Sequence, residues 1–190
     1  MKQIHFPATR QIGFLHTTLD DGRPWSFHGR YSLEGELFPD IENPGWEILG
    51  EACGVIEIPD DRRVLLEVLP DEARDLSPLA ELPADALDGL WLGNTRVDDE
   101  QLRFAGGLTA LRWIDVQNNG MITDTGVNHL RELTSLVSFG AHWTRISTST
   151  MEWLATLPDI NYVDIWGCEI PPNAFEAFCR ARPDCQVRVE

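Results

Sequence analysis

The second half of the chain carries a set of side chains suited to recognition chemistry: Trp91, Trp113, Asp115, His142, Trp143, Tyr162, Asp164 and Trp166. Indole and phenol rings offer flat apolar faces with a polar edge, and they bring contact area to an interface at small entropy cost. Carboxylates beside them, Asp115 and Asp164, would attract a cationic or hydroxylated group. Arg112 and Arg188 stand where charged rim contacts would fall. This combination suits a protein or peptide partner, with a small molecule or glycan lying on the aromatic plate as the alternative. Catalysis fits poorly. His142 with Asp115 or Asp164 is the His/Asp set in question, and a hydrolase would need a Ser or Cys nucleophile within reach of that base. Ser138, four residues earlier on the same strand, belongs to no nucleophile motif, so the chain is read as a non-enzyme.

These residues are positioned by a repeat. LDGLWLGNT begins at Leu87, LRWIDVQNN at Leu111, LVSFGAHWT at Leu136 and INYVDIWGC at Ile160. The starts lie 24, 25 and 24 residues apart (111 − 87, 136 − 111, 160 − 136). Weaker copies open at Arg63 and Asp184, each 24 residues from its neighbour (87 − 63, 184 − 160). A fixed period of this length marks stacked supersecondary units, none of which could bury its apolar face alone. Positions one, four and six of each opening are apolar and predict the inward face of a short strand: Leu87, Leu90, Leu92; Leu111, Ile114, Val116; Leu136, Phe139, Ala141; Ile160, Val163, Ile165. Alternation along a strand then places positions three, five and seven on the opposite face. The aromatic and acidic residues stand there, with Trp143 just beyond. Either a partner meets these rings, or the N-terminal segment folds over them.

Each opening leads to helix-start chemistry. Asp98-Asp99-Glu100 precedes Leu102, Thr123-Asp124 precedes Val127 and Leu130, and residues 147–150 precede Trp153 and Leu154. Pro171-Pro172-Asn173 precedes Phe175 and Phe178. Acidic and hydroxyl side chains there satisfy free N–H groups and match the helix dipole. Ser77 before Pro78 predicts a similar cap earlier. The expected fold is an α/β solenoid over 63–190: a short right-handed βα horseshoe with a parallel concave sheet and convex helices. Residues 1–62 do not repeat. Strands are expected over 12–18 and 25–31 around a turn at 20–24, then a loop over 33–45 and a loosely alternating stretch over 46–58. A β-rich cap covering the first repeat is the expected role, a separate functional domain the alternative.

The repeats resemble the leucine-rich repeat family, and more narrowly its ribonuclease-inhibitor-like, cysteine-containing branch. Ile122-Thr123-Asp124-Thr125-Gly126-Val127 is similar to that branch's I/V-T-D-x-G-L signature. Cys168 stands at the cysteine or asparagine position that closes the strand, with Thr95, Asn119 and Thr144 in the other copies. Residues 46–59, followed by 75–80, also look like the lead-in of bacterial proteins with such repeats. The resemblance implies a scaffold for protein–protein contacts and carries over no catalytic residue. Pro171-Pro172 and the small Ala141 depart from the pattern.

Charge and cysteine usage narrow the rest. The net charge of −16 divides into −6 over 1–62 (5 basic, 11 acidic) and −10 over 63–190 (10 basic, 20 acidic). Neither part has the clustered Lys and Arg that nucleic acid or an anionic membrane requires. The opening MKQIHFPATRQIGF lacks the apolar core of a secretory leader, so a cytoplasmic location is expected. Cys53, Cys168, Cys179 and Cys185 form no C-x-x-C pair and no zinc spacing. Free buried thiols are the main expectation, with a 168–185 or 179–185 bridge as alternatives. His16 and His28, two histidines without a third ligand, read as ordinary residues. Gly106-Gly107 lacks a nucleotide-binding pattern. No cofactor is expected, and a last strand edged by Arg188 and Glu190 predicts a monomer.

Overall fold

A computed structural model describes residues 1–19 and 46–189. The strand expected over 25–31, the turn before it, the loop over 33–45 and His28 lie outside the described residues. From Arg62 onward the chain alternates strand and return. Strand β5 (Arg62–Val68) is followed by β6 (Gly89–Trp91), β7 (Trp113–Asp115), β8 (Ser138–Gly140), β9 (Tyr162–Asp164) and β10 (Gln186–Arg188). All six pair in parallel and in sequence order, with Leu90, Ile114, Phe139 and Val163 in one cross-strand row. The returns hold helices α1 (Asp99–Leu102), α2 (Asp124–Asn128), α3 (Thr148–Thr156) and α4 (Pro172–Ala181). Each helix packs on the next.

Every inward position expected from the four openings is buried, and these residues share one core with Leu79, Leu102, Leu130, Leu154 and Phe178 from the returns. That core lies between sheet and helices. Ala141 is fully buried, and Phe139 meets Trp153 edge-to-face at 5.8 Å. Trp153 is thus a helix-to-core residue, as its spacing predicts. Pro172 begins α4 at a position where proline's missing N–H costs nothing.

Two hydrogen-bond ladders tie the repeats together. At the strand-closing position, Thr95 Oγ1 donates to the Leu92 carbonyl (2.6 Å) and Thr144 Oγ1 to that of Ala141 (2.6 Å). Asn119 Nδ2 reaches its own Val116 carbonyl (2.9 Å) and Leu92 of the preceding repeat (2.8 Å), and the Cys168 thiol donates to Ala141 at 3.1 Å. The second ladder runs through the helix starts. Asp98 accepts from Gln101 N–H within its own helix (3.0 Å). Asp99 instead reaches the next repeat, accepting from Thr123 N–H and Oγ1 at 2.7 Å each. Asp124 does the same for Ser147, Ser149 and Thr150. A Cβ at Gly126 would collide with Asp99, so the glycine of the Thr-Asp-Thr-Gly-Val stretch makes room for this carboxylate. The expected Ser77 cap is corrected: its side chain caps nothing, and its N–H donates to Asp75 Oδ1 at 3.0 Å.

The N-terminal residues add two strands to the same sheet and form a separate two-stranded one. Strand β2 (Gly13–Leu19), placed almost where the alternation predicts, pairs antiparallel with β5, and β3 (Glu47–Glu51) pairs antiparallel with β2. The stretch over 46–58 is two strands, because a left-handed Gly54 turns the chain between β3 and β4 (Val55–Ile58). β4 pairs with β1 (Lys2–His5), a strand the sequence pattern did not suggest. Ile4, Phe6, Ile12, Leu15, Ala52 and Ile58 join the repeat core. Arg10 adds a bridge to Glu72 (2.5 Å) and Asp75 (2.7 Å).

Candidate functional site

On the sheet face turned away from that core, register builds two side-chain rows. One runs Leu65, Gly89, Trp113, Ser138, Tyr162, Gln186; the other runs Glu67, Trp91, Asp115, Gly140, Asp164, Arg188. The sequence places these residues correctly in register, but their exposure divides the face in two.

The N-terminal half is covered. Trp91 is 0% exposed and Trp113 3%, which corrects the expectation that both face solvent. Leu65, Trp91 and the partly buried Trp46 form a small second core on this face, and Trp46 meets Trp113 edge-to-face at 6.0 Å. Arg112, expected at a rim, lies with its guanidinium 5.4 Å from the Trp113 ring centre, and Arg63 lies 5.1 Å from the same ring. Glu67 is fully buried and contacts His16 Nε2 at 2.7 Å, a pairing between β2 and β5 that sequence reasoning missed. A signal was available. RVLLEV is nearly continuous in apolar residues, as a strand buried on both faces should be.

The C-terminal half is open at three rings: Trp143 is 46% exposed, Tyr162 37% and Trp166 37%. Trp166 stands 5.4 Å from Trp143 and 6.1 Å from His142, both tilted. Beneath the rings Asp164 is buried, a second correction to the expectation of an exposed carboxylate. Its Oδ1 accepts from Trp166 N–H (3.2 Å), and its Oδ2 faces His142 Nδ1 and Arg188 Nη1, each at 3.1 Å. The His142 bond requires the proton on Nδ1. Arg188 also lays its guanidinium 5.1 Å from the Trp166 ring centre. Asp115 does not stop at the gap beside it. A Cβ at Gly140 would collide with the Asp115 carboxylate, which leans over the bare backbone there, while its Oδ1 accepts from Gln117 N–H at 2.9 Å.

The two carboxyl groups are shifted in opposite directions. Burial pushes Asp115 up to about 6, against the pull of the Gln117 N–H and the His142 charge, with the Asp164 charge adding to the rise. Burial acts on Asp164 too, but the His142 hydrogen bond, the Trp166 N–H and the Arg188 charge hold it below the ordinary carboxylate range. Between about pH 4 and 6 the unfolded chain gives up its Asp115 proton while the folded chain keeps it, so rising pH through that window weakens folding. Asp164 contributes with the opposite sign: its stabilisation is present at neutral pH and lost as pH falls below the ordinary aspartate value. Asp115→Asn retains the acceptor for Gln117. It is expected to raise Tm at neutral pH and to leave it nearly unchanged near pH 4. Melting curves across that range check this, and an equal shift at every pH would refute the burial account.

Trp143 carries a second cost besides its exposure. Position eight of every repeat is left-handed: Asn94 (φ 60°), Asn118 (φ 54°), Trp143 (φ 56°) and Gly167 (φ 70°). Its N–H donates to position seven of the next repeat, at 3.0, 2.9 and 2.9 Å for Asn94, Asn118 and Trp143. Asparagine and glycine tolerate this geometry; for other residues it costs about 1–2 kcal/mol. The aligned Asn, Asn and Gly were the signal by which the strain at Trp143 could have been foreseen. Gly167 also provides the space that the Trp143 indole occupies. Trp143→Asn relieves the strain but loses a ring contact of similar size, about 0.5–1.5 kcal/mol. The expected change in unfolding free energy is under about 1 kcal/mol by urea titration. A loss above about 2 kcal/mol would mark the ring as structural.

Neither a scan of protein-family models nor a search of curated proteins returns a match. Among solved structures the chain is similar to an internalin C2 of Listeria monocytogenes, at 20% identity and TM-score 0.46, covering 61% of this chain and 56% of that one. It is also similar to a leucine-rich repeat protein of Leptospira interrogans, at 18% identity and TM-score 0.46, with 58% and 27% covered. A Listeria monocytogenes internalin follows at 17% identity and TM-score 0.42, with 60% and 37% covered. The chain thus spans little more than half the length of the first and less of the others.

Proposed function

We propose that the chain is a non-catalytic leucine-rich repeat scaffold that binds a protein or peptide on the C-terminal half of its concave sheet face. Trp143, Tyr162 and Trp166 would supply contact area, with Asp115 and Asp164 beside them. The observation that carries this reading is the exposure of Trp143, Tyr162 and Trp166, the two indoles in contact, while Trp91 and Trp113, on the same face, are covered. Exposed aromatics clustered in this way mark interaction surfaces, and backbone strain at one of them fits a residue retained for recognition. Trp91, Trp113 and Arg112 then support the face instead of touching a partner. His142 orients Asp164, and among the described residues no Ser or Cys hydrogen-bonds to it. Residues 1–62 cap the repeats at 63–190. Within the family the ribonuclease-inhibitor-like branch fits best, because Thr95, Asn119, Thr144 and Cys168 all bond strand carbonyls.

Peptides selected from a display library against the full chain provide the test, with binding followed at the indole N–H resonances. Trp143 and Trp166 are expected to shift and Trp153 to stay. Shifts centred elsewhere, or no selectable peptide, would overturn the assignment. The described cysteines form no disulfide, which supports a reducing compartment such as the cytoplasm. Denatured, unreduced protein is then expected to titrate four thiols, all its cysteines; two would reveal a bridge.

A further inference from the structure

The contacts of Arg188 suggest what that partner carries. Its guanidinium lies over the exposed face of Trp166 while Nη1 donates to Asp164 Oδ2. Stacking on an aromatic face with a donor on a carboxylate is the way a planar guanidinium is recognised between molecules. The arginine that fills this seat comes from β10 and keeps its side chain 42% exposed, so it can leave without opening the main core. The seat is otherwise built. Asp164 is buried and fixed by Trp166 N–H and His142, and Trp166 is buttressed by Trp143 and His142.

Resting on the binding-face reading above, we propose that the Trp166–Asp164 seat is a guanidinium-recognition site that an arginine of the partner takes over from Arg188. A second carboxylate awaits the incoming cation. Asp115 Oδ1 is taken by Gln117 N–H, but among the described residues Oδ2 accepts no hydrogen bond. The Asp164 charge is felt at Asp115, so the two carboxyl groups share one field. The net charge of −16 draws basic segments toward the molecule. Arginine is favoured over lysine because a compact ammonium cannot stack flat and fork to a carboxylate together.

The probe is Nα-acetyl-arginine amide, titrated into the full chain and followed at the Trp166 indole, with the uncharged citrulline isostere as control. Arginine is expected to bind saturably and citrulline not. Arg188→Ala should tighten arginine binding on the order of fivefold by removing the internal competitor. Arg188→Gln, which keeps most of the stem, should do the same if the alanine variant disturbs β10. Asp164→Asn should abolish the effect. Equal binding of citrulline, or weaker arginine binding in both Arg188 variants, would overturn the proposal. Library peptides that bind at Trp143 and Trp166 without any arginine would sink this inference alone and leave the binding face standing. A face that binds no peptide at all would sink both.

Discussion

Trp91→Ala is expected to destabilise the fold by about 3–5 kcal/mol, the range for removing a large aromatic from a core. Trp166→Ala, on the same sheet face, is expected to cost only about 1 kcal/mol, mostly its ring contacts. The contrast follows from burial. Trp91 is 0% exposed and packs with Leu65 and Trp46, whereas Trp166 is 37% exposed. Gly93 makes room for the Trp91 indole, since a Cβ there would lie 2.7 Å from the ring. Alanine leaves that space empty beside Gly93, Leu65 and Trp46. Urea titrations followed by far-UV circular dichroism would check both variants. A Trp91→Ala loss below about 1 kcal/mol would mean that the N-terminal half of the face is open in solution.

The second large effect is expected away from the site. Asp124 accepts from Ser147 N–H (2.8 Å), Thr150 N–H (3.2 Å) and Thr150 Oγ1 (2.6 Å) on Oδ1, and from Ser149 N–H (3.2 Å) on Oδ2. Asp124→Ala strips the start of α3 of these acceptors and should cost about 2–4 kcal/mol, given the strength of hydrogen bonds to charged groups. Asp124→Asn keeps Oδ1 and should lose less than half as much. Hydrogen exchange at residues 147–150 would localise the change, because those amides should open first in the alanine variant. Equal losses in the two variants would refute the cap account.

The difference between Trp91 and Trp166 also shows how far the sequence could be read. Both indoles fall on non-core positions of the same motif, and nothing in the local pattern separates them. What packs on Trp91 is brought from elsewhere, Trp46 from another segment, just as His16 reaches the neighbouring Glu67 across 51 residues of chain. Asp124 is the reverse case. Its helix-start position is plain in Ile-Thr-Asp-Thr-Gly-Val, yet its main partners lie one repeat onward, 23 to 26 residues away. The period makes such a reach natural once the repeats stack.

By itself the sequence determined the period, the strand openings and the inward residues. These depend on apolar spacing within a unit and on the demand that each unit bury it against the next. It also placed Asp115, His142, Tyr162, Asp164 and Trp166 on one face, because strand alternation is a local property. The tertiary structure alone decided which part of that face is covered. It also decided that Asp115 leans over Gly140, that Asp164 gathers His142 and Arg188, and that Trp143 sits in a left-handed turn beside Gly167. Those outcomes depend on contacts between distant segments and on the space left by neighbouring side chains, which no periodic pattern encodes.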